Sequence, residues 1–165
     1  MGLIGYLLSI AGGIFIVSLL LNKLSYSFLK KRIISRNQWD LNICCGLTDG
    51  GGINADIMVY KKIPNLVMVD IYNLPFRDKH FTNVLSSHTI EHVADPVRFW
   101  SELQRVSDNV TIVIPPLWDI SAVFNLLEHK WIFLSVRKTH STLPPFVKLP
   151  LAATVQRMLG QRLHA

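Results

Sequence analysis

Apolar residues are distributed very differently in the first part of this 165-residue chain and in the remainder. From Leu3 to Leu21 no residue carries a charge, and about 20 apolar residues are enough to cross a bilayer as an α-helix. After this run, short apolar segments alternate with amphipathic ones. The pattern predicts a transmembrane anchor at 1–22, a basic juxtamembrane segment at 23–39 and a folded domain at 40–165.

The basic residues nearest to the apolar run all lie on its C-terminal side. They are Lys23, Lys30, Lys31, Arg32 and Arg36. A cleaved signal peptide would be expected to carry its basic residues before the run and a small-residue cleavage site after it, so the sequence favours a retained anchor. The positive-inside rule then predicts a single-pass membrane protein whose C-terminal domain lies in the cytoplasm.

Small residues are spaced by four along the predicted span, at Gly5, Ser9 and Gly13. The apolar run itself predicts contact with the bilayer. The small-residue face would let two transmembrane helices approach closely, so it is a candidate surface for self-association.

The net charge of +6 does not by itself indicate nucleic acid, because five of the seventeen basic residues sit beside the predicted span. A juxtamembrane segment that faces anionic lipid accounts for them. Cys44 and Cys45 are the only cysteines, and adjacent cysteines suit neither a structural disulfide nor a zinc cluster. We therefore expect buried, reduced thiols.

The domain sequence is typical of an α/β fold. Five apolar runs, LNICC, INADI, LVMVD, NVLSS and VTIVIPP, read as buried strands. A helix is predicted at 97–106, where Asp95-Pro96 forms the start and Val97, Trp100, Leu103 and Val106 form a core face. A second helix near 118–127, a strand KWIFLS and a short tail helix LAATVQRML follow. The expected architecture is a Rossmann-like, mostly parallel sheet with flanking helices.

Residues with potential chemistry stand directly after these runs, and ligands of open α/β sheets bind at the carboxyl ends of the strands. The residues are Cys45 and Gly46, the glycines at 50–52, Asp56, Asp70, and His88 with Glu91 and His92. A glycine turn lets the backbone approach a ligand, and a carboxylate at the next strand end can accept ribose hydroxyls. The arrangement predicts a nucleoside-type site.

Residues 88–92, HTIEH, also fit H-x-x-E-H, a zinc-binding spacing when it lies on a continuous helix. Here the motif directly follows a predicted strand and precedes Asp95-Pro96, so a loop is expected. A zinc hydrolase that uses His88, Glu91 and His92 stays a minor alternative, with its third ligand sought among Glu102, Glu128 and His129. The sequence favours a hydrogen-bonded network that fixes the loop, and no metal ligands are predicted.

The same residues carry a resemblance to a known family. LNICCG, then INADI, then VDIYNLPFRDKHFTNVLSSHTIEHVADPVRFWSELQRV, and finally VTIVIPP, resemble class I S-adenosylmethionine-dependent methyltransferases over residues 40–116. The most similar type is small and carries LNLGCG, NVDI, LPF and SHxLEH. Some of its members are associated with cell-envelope glycan synthesis.

The resemblance implies S-adenosyl-L-methionine as the cofactor and assigns contacts to it. The turn formed by Cys44, Cys45 and Gly46 would lie against the methionine part, and Asp56 would accept the ribose hydroxyls. The adenine would be bounded by the strand end and the LPF segment. The residues implied there are Asp70, Ile71 and Leu74.

The resemblance also implies where methyl transfer would take place. Ser87 and His88 would border the methyl group and the acceptor, and His88 or His92 is the expected general base. The implied function is transfer of a methyl group to an O or N nucleophile, with a small-molecule, lipid-linked or glycan acceptor. No nucleic acid is expected as a partner.

Two departures from the family pattern support an alternative. Cys44 stands where the family turn usually has glycine, and the connection from Gly46 to Ile53 is too short for the usual helix. A catalytically inactive binding or assembly module at the membrane is therefore the alternative function.

Overall fold

The apolar N-terminal run forms a helix that continues well beyond the run itself. In the computed structural model, which describes residues 2–36, 39–59 and 62–162, α1 spans Leu3–Lys23, a π-helical segment spans Leu24–Leu29 and α2 spans Lys30–Arg36. By length and composition, the stretch Ile4–Ser35 could cross a membrane, and its most apolar part is not buried against the rest of the chain. These three elements are called the N-terminal helix below.

The remaining residues build two sheets. The larger has the strand order β3-β2-β1-β4-β5-β7, parallel except for the antiparallel edge strand β7, and the smaller pairs β6 with β8. The strands are β1 (Trp39–Ile43), β2 (Gly51–Asp56), β3 (Leu66–Met68), β4 (Phe81–Ser87), β5 (Ser107–Val113), β6 (Trp131–Phe133), β7 (Thr139–His140) and β8 (Phe146–Lys148). The predicted Rossmann-like, mostly parallel α/β sheet is confirmed.

The strand order reverses between β1 and β4. From β1 the chain moves outward through β2 to β3, and then returns to place β4 on the other side of β1. In open parallel sheets, the crevice at the carboxyl ends of such a strand pair is where ligands bind. The loops after Ile43 and after Ser87 therefore mark the candidate site.

One well-formed helix, α3 (Pro96–Val106), connects β4 to β5. Asp95 caps it by accepting a hydrogen bond from the Arg98 backbone N–H, and Pro96 stands in the first turn as predicted. The predicted core face is partly corrected, because Val97 is exposed whereas Phe99 is fully buried. A period of three drifts off the face of a helix with 3.6 residues per turn.

The predicted helix at 118–127 shrinks to the single turn α4 (Ile120–Val123), and the tail helix is α5 (Ala152–Leu159). Asp119 caps α4, and the chain leaves helical geometry at Phe124. It then turns so that the Lys130 backbone N–H donates to the Glu91 carbonyl at 2.8 Å. This link to the loop after β4 accounts for the early end of the helix.

The two faces of the sheet are covered by different parts of the chain. On one face α3 contributes Phe99 and Leu103 to the main core. On the other face Trp39, Leu85 and Val113 form a smaller cluster against which Ile33 and Ile34 of α2 pack. Burial of this apolar surface joins the C-terminal end of the N-terminal helix to the domain.

Within the glycines at 50–52, Gly50 and Gly52 allow close packing of the strands, whereas Gly51 has a positive φ of 94°. A Cβ at Gly52 would collide with the main-chain carbonyls of Trp39 and Asp40, and one at Gly50 would lie 2.6 Å from Asn42 Cβ. This glycine segment leads into the amino end of β2, away from the carboxyl ends where ligands bind. The expectation that these glycines approach a ligand is therefore corrected.

Arg105 of α3 holds the LPF segment in place. Its guanidinium donates hydrogen bonds to the carbonyls of Leu74 and Phe76 and to the carboxylates of Asp78 and Glu102. The two neighbouring carboxylates raise the pKa of Arg105. The planar group thereby fastens the connection between β3 and β4 to the crossover helix.

We predict that Arg105→Ala lowers the free energy of unfolding by about 1–3 kcal/mol, because carbonyls and carboxylates around the partly exposed guanidinium lose their donor. Denaturant unfolding of detergent-solubilised protein measures the change. Arg98→Ala is the matched control, because that guanidinium lies over the Tyr72 ring at 5.0 Å, and its loss is expected to cost less than about 1 kcal/mol. Equal losses in the two variants would contradict this role for Arg105.

Candidate active site

Two residues at the ends of neighbouring strands adopt a left-handed backbone. Cys44, directly after β1, has φ 52°, and His88, directly after β4, has φ 55°. Side chains other than glycine, asparagine and aspartate rarely adopt this conformation, and such strain concentrates at functional sites. The backbone therefore turns sharply on both sides of the crevice at which the strand order reverses.

The turn after β1 is held by Asp56 at the end of β2. The Gly46 backbone N–H donates to Asp56 Oδ2 at 2.9 Å, and the Met58 N–H donates to Oδ1 at 3.3 Å. Asp56 is only 5% exposed. A carboxylate has about four acceptor positions, so these bonds leave capacity for the hydroxyls of a ligand.

A cavity of about 840 Å³ opens at these strand ends, within the range of small-molecule sites. Most of the residues predicted for the site border it together. They are Cys44, Cys45, Gly46, Asp56, Ile71 and Ser87 from the predicted cofactor set, and His88 and His92 from the predicted catalytic pair.

Asp70 and Leu74 lie outside the cavity wall. Asp70 is exposed and accepts a hydrogen bond from the Tyr72 backbone N–H at 2.8 Å, which caps the turn after β3. Leu74 is buried in the main core, and its N–H donates to Glu102 Oε1 at 2.7 Å. Of the residues between Asp70 and Leu74, Ile71 and Tyr72 line the cavity.

One wall of the cavity comes from the N-terminal helix, which the sequence did not connect with the site. The contributing residues are Tyr26, Ser27, Lys30, Lys31, Ile34 and Ser35. In the sequence, residues 24–36 mix polar and apolar side chains, which is compatible with a continued helix but does not indicate a contact with the sheet. Its packing on a sheet formed by later residues depends on contacts that are distant along the chain.

His88 belongs to a chain of polar contacts that ends in the N-terminal helix. Its Nδ1 lies 3.1 Å from Glu91 Oε1, and its Nε2 lies 2.8 Å from Lys138 Nζ. Lys138 Nζ also donates to the hydroxyl of Ser25 at 2.8 Å, and Ser25 is fully buried in the π-helical segment. An ammonium can only donate, so Nε2 accepts and the imidazole proton resides on Nδ1, facing Glu91.

The titration of these groups follows from their burial. Desolvation lowers the pKa of His88 to about 4, although Glu91 opposes the shift, so His88 is neutral near pH 7. Burial alone would raise the pKa of Glu91, but the His88 contact and the nearby imidazoles outweigh it and hold the pKa at about 2. Desolvation lowers the pKa of Lys138 to about 8. Near pH 7 the ammonium therefore occupies the lone pair that His88 would need to act as a base.

The thiols are unreactive by the same argument. Burial, with the nearby Asp56 charge, raises the pKa of Cys44, and it raises the pKa of Cys45 to about 11. Both remain protonated thiols at neutral pH, since the thiolate is disfavoured in this setting.

HTIEH lies on a turn, and its two histidines have different partners. His92 Nδ1 contacts the Glu128 carbonyl at 2.9 Å, whereas His88 faces Lys138. Among the described residues, the group of side chains that could hold a metal ion is therefore Glu91, His92 and His129, with one ligand atom of each residue within 4.8 Å of the others. His88 contacts Glu91 but does not belong to this group. This trio replaces the set considered for the hydrolase alternative.

Comparison with known proteins supports the family resemblance. Residues 54–112 match the family model described as a methyltransferase domain. The predicted resemblance to class I S-adenosylmethionine-dependent methyltransferases is confirmed, and S-adenosylmethionine is the cofactor it implies. No curated protein matches this sequence significantly.

Solved structures with a similar fold are distant in sequence. One is a complex of the Haloferax volcanii Trm112 methyltransferase activator with a methyltransferase, at 15% identity and a TM-score of 0.40, covering 52% of this chain and 50% of that chain. Another is an S-adenosylmethionine-dependent methyltransferase from Aquifex aeolicus, at 14% identity and a TM-score of 0.41, covering 58% of this chain and 68% of that chain. The chain thus spans about half to two thirds of these relatives' lengths.

We predict that Asp56→Asn weakens binding of S-adenosylmethionine at least ~10-fold, because an amide loses the charge that strengthens bonds to both ribose hydroxyls. Isothermal calorimetry on detergent-solubilised protein measures the affinity, and thermal unfolding shows whether the bond to Gly46 survives. Asp70→Asn is the control, because this carboxylate lies outside the cavity wall. If Asp70→Asn weakens binding and Asp56→Asn does not, the ribose contact belongs to Asp70.

Proposed function

We propose that this chain is a membrane-anchored S-adenosylmethionine-dependent methyltransferase that acts on an O or N nucleophile of a lipid-linked or cell-envelope substrate. The observation that carries the proposal is the cavity at the reversal of strand order, bordered by the residues that the family resemblance implies. The match of residues 54–112 to a methyltransferase domain supports methyl transfer as the proposed reaction.

The cofactor fits this cavity from the β1 turn outward. Cys44, Cys45 and Gly46 would contact the methionine part, and Asp56 would accept the ribose hydroxyls. The adenine would lie against Ile71, with Asp70 shaping the loop through its bond to the Tyr72 backbone. Cys44 adopts a left-handed backbone, the conformation that glycine tolerates best, so the backbone still turns sharply after β1 where the cofactor would lie.

Methyl transfer from a sulfonium is mainly a matter of positioning. S-adenosylmethionine would supply the methyl group and, as leaving group, the neutral thioether, while the residues of this chain would position the acceptor's lone pair and take up its proton. Ser87, His88 and His92 border the cavity where the acceptor would lie. His88 can take the proton only when Lys138 releases its Nε2, so Lys138 would control the availability of the base.

The membrane location follows from the helix that both carries the apolar run and borders the cavity. The cavity-lining residues Lys30 to Ser35 lie 9–14 residues beyond Leu21, or roughly 14–21 Å along the helix. The headgroup layer on each side is only about 5–8 Å thick. Tyr26 and Ser27 also line the cavity, and they lie only 5–6 residues, or roughly 8–9 Å, beyond Leu21. The cavity would therefore begin near the outer edge of the headgroup layer and extend beyond it, at a height suited to a glycan or large headgroup carried by a lipid.

The small-residue face of α1 is also part of this proposal. Ser9 Oγ donates to the Gly5 carbonyl within the same helix at 2.9 Å, so the hydroxyl adds little bulk to the surface. Among the described residues, no atom outside the adjoining backbone of α1 lies within 4 Å of the position that a Cβ would take at Gly13. A second copy of the span is the proposed partner for this face.

The alternative is a non-catalytic module that keeps the fold. Two observations favour it: Cys44 replaces a glycine, and the lone pair of His88 is occupied by Lys138. Calorimetry with S-adenosylmethionine and its demethylated product separates the two functions. Saturable one-to-one binding, with labelled methyl transferred to isolated membranes, is expected; absence of heat at millimolar ligand would refute the enzyme, and binding without transfer would favour the module.

We predict that the full-length protein stays in the membrane pellet after carbonate extraction, because the apolar run has the length of a span. Deletion of residues 2–21, which preserves the bond between Asn22 and Asp119, should move the domain into the supernatant. Recovery of full-length protein in the supernatant would show that the run does not anchor it.

We predict that the methylation rate rises with pH up to about 8 and is level above that value. Below it, protonated Lys138 blocks Nε2 of His88, and above it the lone pair is free. Lys138→Met should remove the rise, whereas Lys148→Met, an exposed control, should keep it. Transfer of labelled methyl to isolated membranes between pH 6.5 and 9 measures the profile. A rise that persists in Lys138→Met would exclude this control of the base.

A further inference from the structure

We propose that Glu91, His92 and His129 form a binding site for a divalent metal ion of the zinc type at the edge of the cavity. One ligand atom from each residue lies within 4.8 Å of the others. Glu91 and His92 follow β4, and His129 comes from the turn before β6. The evidence for this site does not rest on the proposed methyltransferase activity.

The distances require only a small adjustment to hold an ion. In a tetrahedral site with bonds of about 2.0–2.1 Å, neighbouring ligand atoms are separated by roughly 3.3 Å. The observed separations of at most 4.8 Å exceed this by no more than about 1.5 Å. Rotations of two imidazoles and a carboxylate about their side-chain bonds can supply such a contraction.

Both histidines have the second contact that metal-binding imidazoles usually make. The carbonyl of Glu128 can only accept, so His92 carries its proton on Nδ1 and its lone pair on Nε2. The backbone of Val123 is the corresponding neighbour of the buried His129 ring. Bonds of this kind fix the tautomer and point the other nitrogen toward the ion.

Glu91 supplies the second, independent observation. Its side chain is 1% exposed, and in the described part of the chain its Oε2 has no hydrogen-bond donor. His88 Nδ1 approaches Oε1 at 3.1 Å without forming an aligned hydrogen bond. A buried carboxylate with an unpartnered oxygen is costly, and a cation beside it removes that cost.

The backbone around the three ligands is firmly tied. The Glu91 carbonyl accepts from Lys130 N–H at 2.8 Å, and the His129 carbonyl accepts from the Gln156 side chain at 2.8 Å. The Gln161 side chain donates to the His92 carbonyl at 3.2 Å. These links hold the two loops together before any ion binds, as a preorganised site requires.

The donor set points to zinc and to an open coordination position. Two imidazoles and one carboxylate are a known three-ligand set for Zn²⁺, whereas Mg²⁺ and Ca²⁺ prefer oxygen ligands alone. His92 also borders the cavity, so the open position would be available to an oxygen of a bound ligand. This proposal departs from the expectation of no metal ligands, because His129 would serve as the third ligand beside Glu91 and His92 of HTIEH.

The test titrates chelator-treated, detergent-solubilised full-length protein with Zn²⁺ by calorimetry, and with Co²⁺ while recording its visible absorption. We expect one equivalent of Zn²⁺ and intense four-coordinate Co²⁺ bands. Glu91→Gln and His129→Asn should each weaken binding at least ~10-fold, with the fold checked by circular dichroism. His140→Asn is the control and should bind normally, because His140 lies on β7, outside the trio.

The outcomes decide the proposal without use of the cofactor. No saturable binding of Zn²⁺ by the unaltered protein would overturn it, as would equal affinity in His129→Asn. If Glu91→Gln does not fold, His129→Asn alone provides the decision. The two proposals can fail separately. If the unaltered protein binds Zn²⁺ but does not bind S-adenosylmethionine, the methyltransferase proposal is rejected and the metal site is supported.

Discussion

The buried carboxylate of Glu91 is the constraint on which the site depends. A charge that is almost completely removed from water must be surrounded by groups that tolerate or compensate it. Here His88, His92 and His129 surround it, and Lys138 stands behind His88. The left-handed backbone at His88 and the hydrogen-bonded loop before β6 both keep imidazoles close to this carboxylate. Local backbone strain and long-range contacts therefore both help to compensate the buried charge of Glu91.

The same polar chain fixes the N-terminal helix to the domain. Lys138 reaches the fully buried Ser25, and Asn22 reaches Asp119, through contacts that span about a hundred positions in sequence. Ser25 lies in the π-helical segment, and π-turns are common where a helix presents a functional residue. Because this helix also borders the cavity, a change in its position would change the shape of the site and the hydrogen bond to His88 together.

Structural features that depend on neighbouring residues in the sequence, such as strands and helix starts, could be predicted. Features that depend on contacts between distant residues could not. Short continuous apolar runs predicted the strands, and Asp95-Pro96 predicted the start of α3, since capping acts within a few residues. The partner of HTIEH could not be selected, because His129 follows His92 by 37 positions and reaches it through an irregular turn. The cavity wall from the N-terminal helix was missed for the same reason.

The two histidines of the H-x-x-E-H motif belong to different groups of contacts, because the motif lies on a turn after a strand. On a continuous helix both histidines would share one face, but after a strand the positive φ at His88 turns its ring toward Lys138 instead. The motif therefore divides: His88 joins the polar chain that leads to the N-terminal helix, and His92 joins Glu91 and His129. Since Glu91 contacts both groups, its charge links the contacts of the N-terminal helix to the proposed metal site. An ion bound there would weaken the attraction that Glu91 exerts on Lys138.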